Sequence, residues 1–392
     1  GGYCRISGVV SYKNIRGEIM NLKITENLAE MISIGKDIAA EKKDIYNERT
    51  YGLIMAKINK MMPEASEESK MNVYYQSIYD YWAYGFNIDE EFCYGLVNRE
   101  GEGTDEYKKT YISFRSRFLY TKKLNNSNDT HYLKNKYDAY QYFKPFYQRD
   151  VIEISSEKDF DIFTEFVKKH PVFVAKPEDL GRCVGVHKVD STGKNLRELF
   201  DTLLAEGSAN NAEHAWGNSA SVVCEEIIKQ SEAMSKLHPA SANCMRCTTV
   251  RVGDEVHCFY PWLKVGIGGD FVTGATYGSL MVGVDWEKGV ANTDGFNEVC
   301  ERYAEHPDTH IKFIGYPIPD MDDLKMKLKQ LSDMLPTVGY IGWDMVHTDN
   351  GWVVMEGNDN GEFVAQIIVE KGLCEELENI LGWKPEQKFW WE

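Results

Sequence analysis

"YIGWDMVHTDNGWVVMEGNDN", residues 340–360, is the stretch on which the reading of the fold turns. Ile341, Trp343 and Met345 alternate with Gly342, Asp344 and Val346, the period of a half-buried strand. Val353 and Met355 alternate with Val354, Glu356 and Asn358 on the way back. Asp349-Asn350-Gly351 between them suits a three-residue loop with glycine in the left-handed position. A register centred on Asn350 sets Asp344 opposite Glu356, and Asn358 shares the face of Glu356. Like charges facing each other destabilise a sheet unless something positive lies between them. Three hard oxygen ligands meeting at one point suit Mg²⁺, above all an ion that also holds phosphate oxygens. A plain solvated hairpin face is the competing reading, and the remainder of the chain has to decide.

With 392 residues the chain has room for two or three domains and a substantial core. Its formal charge of −17 speaks against a nucleic-acid partner, whose phosphate backbone needs a basic surface. A local basic pocket for a small anion remains compatible with that charge. No apolar run approaches the roughly 18 residues of a membrane span. The nine cysteines, an odd number without an apolar leader, point to reduced thiols and a cytoplasmic location. Cys244 and Cys247 form a lone CxxC with His238 and His257 in the same region. Without a second pair, packed strand cysteines are the preferred reading over zinc.

The texture changes along the chain. Residues 17–62 carry apolar positions at helical spacing, ended by "MMPEASEES". Residues 66–125 are rich in Tyr and Phe and again read as mostly helical; an aromatic core between helices is favoured over a carbohydrate-stacking platform. After the polar "LNNSNDTHYL", strands alternate with helices: "VIEIS", "PVFVAKP", "CVGVHKVD", "SVVCEEII", "RCTTVRV", "EVHCFYPWLKV", "SLMVGVD" and the final hairpin. Helices are expected over 157–170, 194–206, 294–305 and 320–334. Trp390 and Trp391 are expected to dock the tail, His306 to fix a loop, and His347 to be packed.

"PVFVAKPEDLGRCVGVHKVD", residues 171–190, is the second informative stretch. A strand ends at Lys176-Pro177, a short loop carries Gly181 and Gly185, and another strand follows. Glycine lets backbone N–H groups approach phosphate oxygens, and a strand lysine adds a point charge. No GK[ST] opens a helix, and no helix follows the glycines, so neither a Walker A loop nor a dinucleotide fingerprint fits. A simple glycine hairpin is the alternative. "SVVCEEIIKQ", residues 221–230, then gives an apolar strand ending in Glu225-Glu226, which suits adenine readout by backbone groups or an ordinary strand end.

Taken in order, the chain offers Lys136, the strand lysine with its glycine hairpin, the apolar strand ending in acids, a basic segment, and Asp…Glu-x-Asn. That order resembles the ATP-grasp superfamily, and more narrowly its sugar-transfer-associated group. "NKYDAYQYF", "VFVAKP", "ANCMRCTTV", "YPWLKVGIGG", "EHPDTHIKFIGYPIP" and the 340–360 hairpin carry the resemblance over roughly residues 125–370. It implies an α+β fold of two subdomains clasping ATP. A helical region (1–125) would precede a small subdomain with a glycine lid (126–226) and a large subdomain with the metal-binding hairpin (227–392).

The resemblance also implies roles. Asp344, Glu356 and Asn358 would hold one or two Mg²⁺ ions (Mn²⁺ as a substitute) on the ATP phosphates. Lys176 would contact the α/β-phosphates, with the Gly181–Gly185 hairpin as a lid, and Lys136 would sit near the same phosphates. Glu225, Glu226 and Ile228 would form the adenine hinge, and Glu232 is a candidate for the ribose hydroxyls. Arg246 and Lys264 would stabilise the acyl phosphate and the oxyanion that follows. The chain departs from the family at Cys244, where threonine is usual, and at Lys264, where arginine is usual. "GGDFVTGATYGS" also lacks an Asp-Asn pair found in many relatives. The implied activity is a carboxylate–amine ligase forming an amide, or an ester, through an acyl phosphate. Its partners would be small-molecule or peptide carboxylates and amines. A kinase-like phosphotransferase and a non-catalytic nucleotide-binding scaffold are the alternatives.

Overall fold

A computed structural model describes residues 22–97, 103–180, 184–213, 219–269, 278–387 and 389–391. The chain divides into two compact units, 1–123 with 299–301 and 362–392, and 124–298 with 302–361.

The first unit is helical. Its opening elements are α1 (Leu28–Glu41), α2 (Glu48–Met61) and α3 (Glu67–Tyr84). The stretch 17–62, read as helix, forms two helices where it is described, because Asn47 leaves the helical conformation and caps α2 by accepting from the Thr50 N–H. Ile38, Ile54, Ile58, Val73 and Ile78 meet in one core with Tyr79 and Trp82. Tyr74, Tyr79 and Tyr81 are buried, so the tyrosine-rich stretch is largely core. The tail packs on α3: Trp390 Nε1 donates to Tyr81 O at 2.7 Å and Trp391 Nε1 to Trp82 O at 3.1 Å.

Two antiparallel sheets build the second unit. The smaller contains β1 (Val151–Ile154), β2 (Val172–Pro177), β3 (His187–Asp190) and β4 (Val222–Glu226) in the order β1-β4-β2-β3. Phe163 and Phe166 of helix Phe160–Lys169, with Phe200 and Leu203 of helix Leu196–Glu213, pack on Ile154, Phe173 and Cys224. The larger contains β5 (Cys244–Val252), β6 (Glu255–Val265), β7 (Leu280–Asp285), β8 (Val290–Phe296), β9 (Arg302–Tyr303), β10 (Tyr340–Thr348) and β11 (Gly351–Asn358). Its order is β11-β10-β5-β6-β7-β8-β9. Leu324, Leu328 and Leu331, one stripe of helix Met321–Met334, join Trp343 and Trp352 in its core.

The helix expected over 294–305 does not form. Residues 290–296 are β8, paired to β7 through Met281↔Phe296 and Val282↔Gly295, and β9 follows. Pairing with β7 satisfies the backbone there, and a Cβ on Gly295 would fall 2.8 Å from Phe313. The CxxC reads plainly in this frame: Cys247 joins the main core while Cys244 packs with Val346 and Val353 in a separate cluster.

The hairpin closes differently from expectation. Thr348 pairs with Gly351 (φ 91°), so the connection has two residues rather than three. The register then shifts between Asp344 and Met345: Met345 faces Val354, while Asp344 faces Glu356. Met355 is the extra residue of a β-bulge. The bulge recovers the pairing that a longer loop would have set.

Candidate active site

Asp344 lies on β10, one strand in from the β11 edge of the large sheet, flanked by β5 and β11. Arg246 stands beside it on β5 and holds it bidentately, Nε to Oδ1 at 2.5 Å and Nη2 to Oδ2 at 3.0 Å. Lys264 Nζ lies 3.5 Å from Oδ2. Burial by itself would raise the Asp344 pKa; the Arg246 and Lys264 charges outweigh it and hold the carboxyl down at about 2. Both cations also sit over the Trp262 ring, at 5.8 and 5.9 Å from its centroid. The positive charge that the facing acids require is thus supplied in part by the protein.

Glu356 faces Asp344 across the hairpin, half-buried. It makes no hydrogen bond among the described residues. Asn358 donates a long bond to Gly342 O (3.4 Å), and its amide oxygen has no partner among the described residues. Lys136 feels the Glu356 charge; burial pushes its pKa down, and Glu356 opposes that. Its ammonium donates to Glu178 O at 3.0 Å and Leu180 O at 2.6 Å.

On the small sheet, Lys176 of β2 and Glu225 of β4 form a buried ion pair. Burial would raise the Glu225 pKa, but Lys176 and Arg149 keep it below the ordinary value. Glu226 accepts from the Asp150 N–H at 3.1 Å, and Ile228 packs beside Cys244, Val346 and Val353. Gly185 has φ 70°, and a Cβ there would lie 2.7 Å from Pro177 Cγ. Gly181 falls outside the described residues. Glu232 is exposed and paired with Lys236 at 3.3 Å.

The sequence model of the sugar-transfer associated ATP-grasp family matches residues 115–381. The chain belongs to this family. Solved structures similar to this ATP-grasp chain include ATP-grasp ligase PsnB complexed with a minimal precursor. That pair shares 13% identity over 66% of this chain and 62% of that chain, with a TM-score of 0.40. D-alanyl-alanine synthetase A from Vibrio cholerae O1 biovar eltor shares 11% identity over 63% of this chain and 60% of its own, with a TM-score of 0.36. N5-carboxyaminoimidazole ribonucleotide synthetase from Thermus thermophilus shares 10% over 67% and 56%, with a TM-score of 0.38. The ATP-grasp chain therefore spans less than two thirds of the length of each of these three structures. No curated protein matches it significantly. Family membership rests on the sequence match alone.

The ATP-grasp residues fit a hard divalent cation. Glu356 and the Asn358 amide offer uncommitted oxygens, beside an Asp344 that stays ionised. Asp344 reaches an ion only while shared with Arg246, which already engages both of its oxygens.

Two constellations escaped the sequence reading. Arg149, just before β1, is buried and bonded to Glu225 and to β11. Ser231, His347 and Asp320 form a hydrogen-bonded chain, Oγ to Nδ1 at 2.8 Å and Nε2 to Oδ2 at 2.7 Å. No Ser-His-Asp set is recognisable in sequence, because the three come from separate segments. Ser231 is buried and caps the helix Glu232–Ser235, so its hydroxyl is committed to structure. No helix among the described residues is long and apolar enough to cross a membrane.

Proposed function

We propose that this chain is an ATP-dependent ligase that activates a carboxylate as an acyl phosphate and passes the acyl group to an amine. The observation that carries this reading is the charge arrangement around Asp344: open oxygen ligands at Glu356 and Asn358, with Arg246 and Lys264 beside them. Lys176 and Lys136, by their charge and their place in the family's order, bind the triphosphate. Glu356, Asn358 and Asp344 would hold Mg²⁺, which would supply neutralisation of charge on the transferring phosphoryl group.

Arg246 and Lys264 serve the carboxylate partner. A fixed guanidinium and an ammonium stabilise the oxyanion that develops when an amine attacks the acyl phosphate. Asp344 orients that guanidinium through two bonds, so the cation is placed before charge develops. The glycine lid around Gly185 excludes water, which would hydrolyse an acyl phosphate. Cytoplasmic location, the substrates' sugar-linked or peptide character, and the division at 126 and 226 belong to the same proposal.

The test is phosphate release from ATP and Mg²⁺ with pooled carboxylates and amines. A ligase releases phosphate only when both partners are present. A stable phosphorylated compound formed from one partner alone would replace this reading by a kinase, and nucleotide binding without ADP formation by a scaffold.

A further inference from the structure

Beside the bulge at Met355, on the edge strand β11, a single side chain collects two successive carbonyls. Arg149 Nη1 donates to Val354 O at 2.6 Å and Nη2 to Met355 O at 3.5 Å. Nη1 also donates to Tyr147 O at 3.2 Å, and Nε and Nη2 each donate to Glu225 Oε2 at 3.2 Å. All five N–H donors of the guanidinium therefore have acceptors. The side chain is 3% exposed and lies over the Tyr147 ring at 4.4 Å. Glu225 is shared, Oε2 with Arg149 and Oε1 with Lys176. One polar path thus runs from the lysine of the small sheet to the carbonyl next to Glu356.

The bulge decides which side chain faces Asp344. From the two-residue turn, unbroken pairing would carry Met355 to that place and turn Glu356 to the opposite face. A bulge residue lacks its ladder hydrogen bonds, and a buried carbonyl left without a donor costs about 1–3 kcal/mol. We infer that Arg149 is a positioning residue for the metal-binding hairpin: its guanidinium secures the bulge that faces Glu356 to Asp344, and ties it through Glu225 to Lys176. Lysine cannot take the place, since three donors at one point cannot span acceptors on three segments. This inference rests on the proposed Mg²⁺–ATP site and adds the part that orients it.

The experiment uses the full chain, with Arg149→Lys as the variant. Binding of a non-hydrolysable ATP analogue is titrated at stepped Mg²⁺ concentrations, with circular dichroism as the check of folding. The Mg²⁺ concentration giving half-maximal binding is expected to rise about 10- to 100-fold, the range for loss of a group that orients a metal ligand. A merely structural role would lower the melting temperature and leave that Mg²⁺ requirement unchanged, and this result would overturn the inference. Should Arg149→Lys not fold, Arg149→Gln is read in the same way. The two proposals fail separately: wild-type protein that binds no nucleotide at any Mg²⁺ concentration removes the ligase reading. Wild-type binding with Mg²⁺ dependence, unaltered in the variants, removes only the role of Arg149.

Discussion

Asp344 combines three conditions that seldom coexist: burial, a facing carboxylate, and an ionised state. Arg246 and Lys264 reconcile them, and Arg246 lies 98 positions away in sequence. Asp344→Asn would leave two cations with a neutral partner, and breaking a buried pair from one side costs about 3–5 kcal/mol. Urea unfolding at neutral pH is expected to show a loss of that order. The sign of its pH dependence follows from the depressed folded pKa. The contribution is fully present above the ordinary carboxyl value of 3.8 and is lost as pH falls through about 2. Wild type and Asp344→Asn should therefore keep a constant stability gap from pH 5 to 8 and converge only in strong acid. Glu356→Gln is different, since that carboxylate supports no hydrogen bond among the described residues. It is expected to abolish ADP formation with an unchanged thermal melt; full turnover in this variant removes the metal assignment.

At the scale of elements, the hairpin shows how a correct pairing can be reached by an unexpected route. The two strands of residues 341–346 and 353–358 are legible because their period is local, although β10 is buried on both faces rather than half-buried as expected. The turn length and the bulge are not legible, because each balances against contacts that local sequence does not name. The expected helix over 294–305 failed for a related reason: β7 offered an edge, and backbone groups there pair with it. The hairpin of β2 and β3 carries a constraint of its own at Gly185. Gly185→Ala must adopt φ near 70° and push against Pro177. A loss of stability above about 1 kcal/mol is expected, with weaker ATP-analogue binding in an isothermal titration.

At the scale of the whole molecule, the helical unit is assembled from distant parts of the chain. Glu90 belongs to that unit. Burial pushes its carboxyl up to about 8, against the Asn87 and Phe114 N–H groups that favour the ionised form. An acid with a raised folded pKa holds a proton that the unfolded chain releases, so stability falls as pH rises from about 4.5 towards 8. Glu90→Gln should flatten that decline in thermal melts taken across this range; an unchanged slope would mean that Glu90 is ionised in the fold. The tail offers a second test. Truncation after Glu386 removes two indole hydrogen bonds to α3, each contributing about 1 kcal/mol, together with the stacked Phe389 and Trp391 rings. A lower melting temperature and altered near-ultraviolet dichroism are expected.

Sequence by itself determined the family, many of the strands and helices, and the existence of the last hairpin with its acids. Those features are written in short-range periods and in the order of residues. Only the tertiary structure decided that Asp344 answers to Arg246 and Lys264, that Glu225 joins Lys176 to Arg149, and that Ser231, His347 and Asp320 meet. A charge in a sheet is neutralised by whatever the neighbouring strand delivers. That neighbour is set by pairing and packing summed over the fold, not by any stretch of residues read alone.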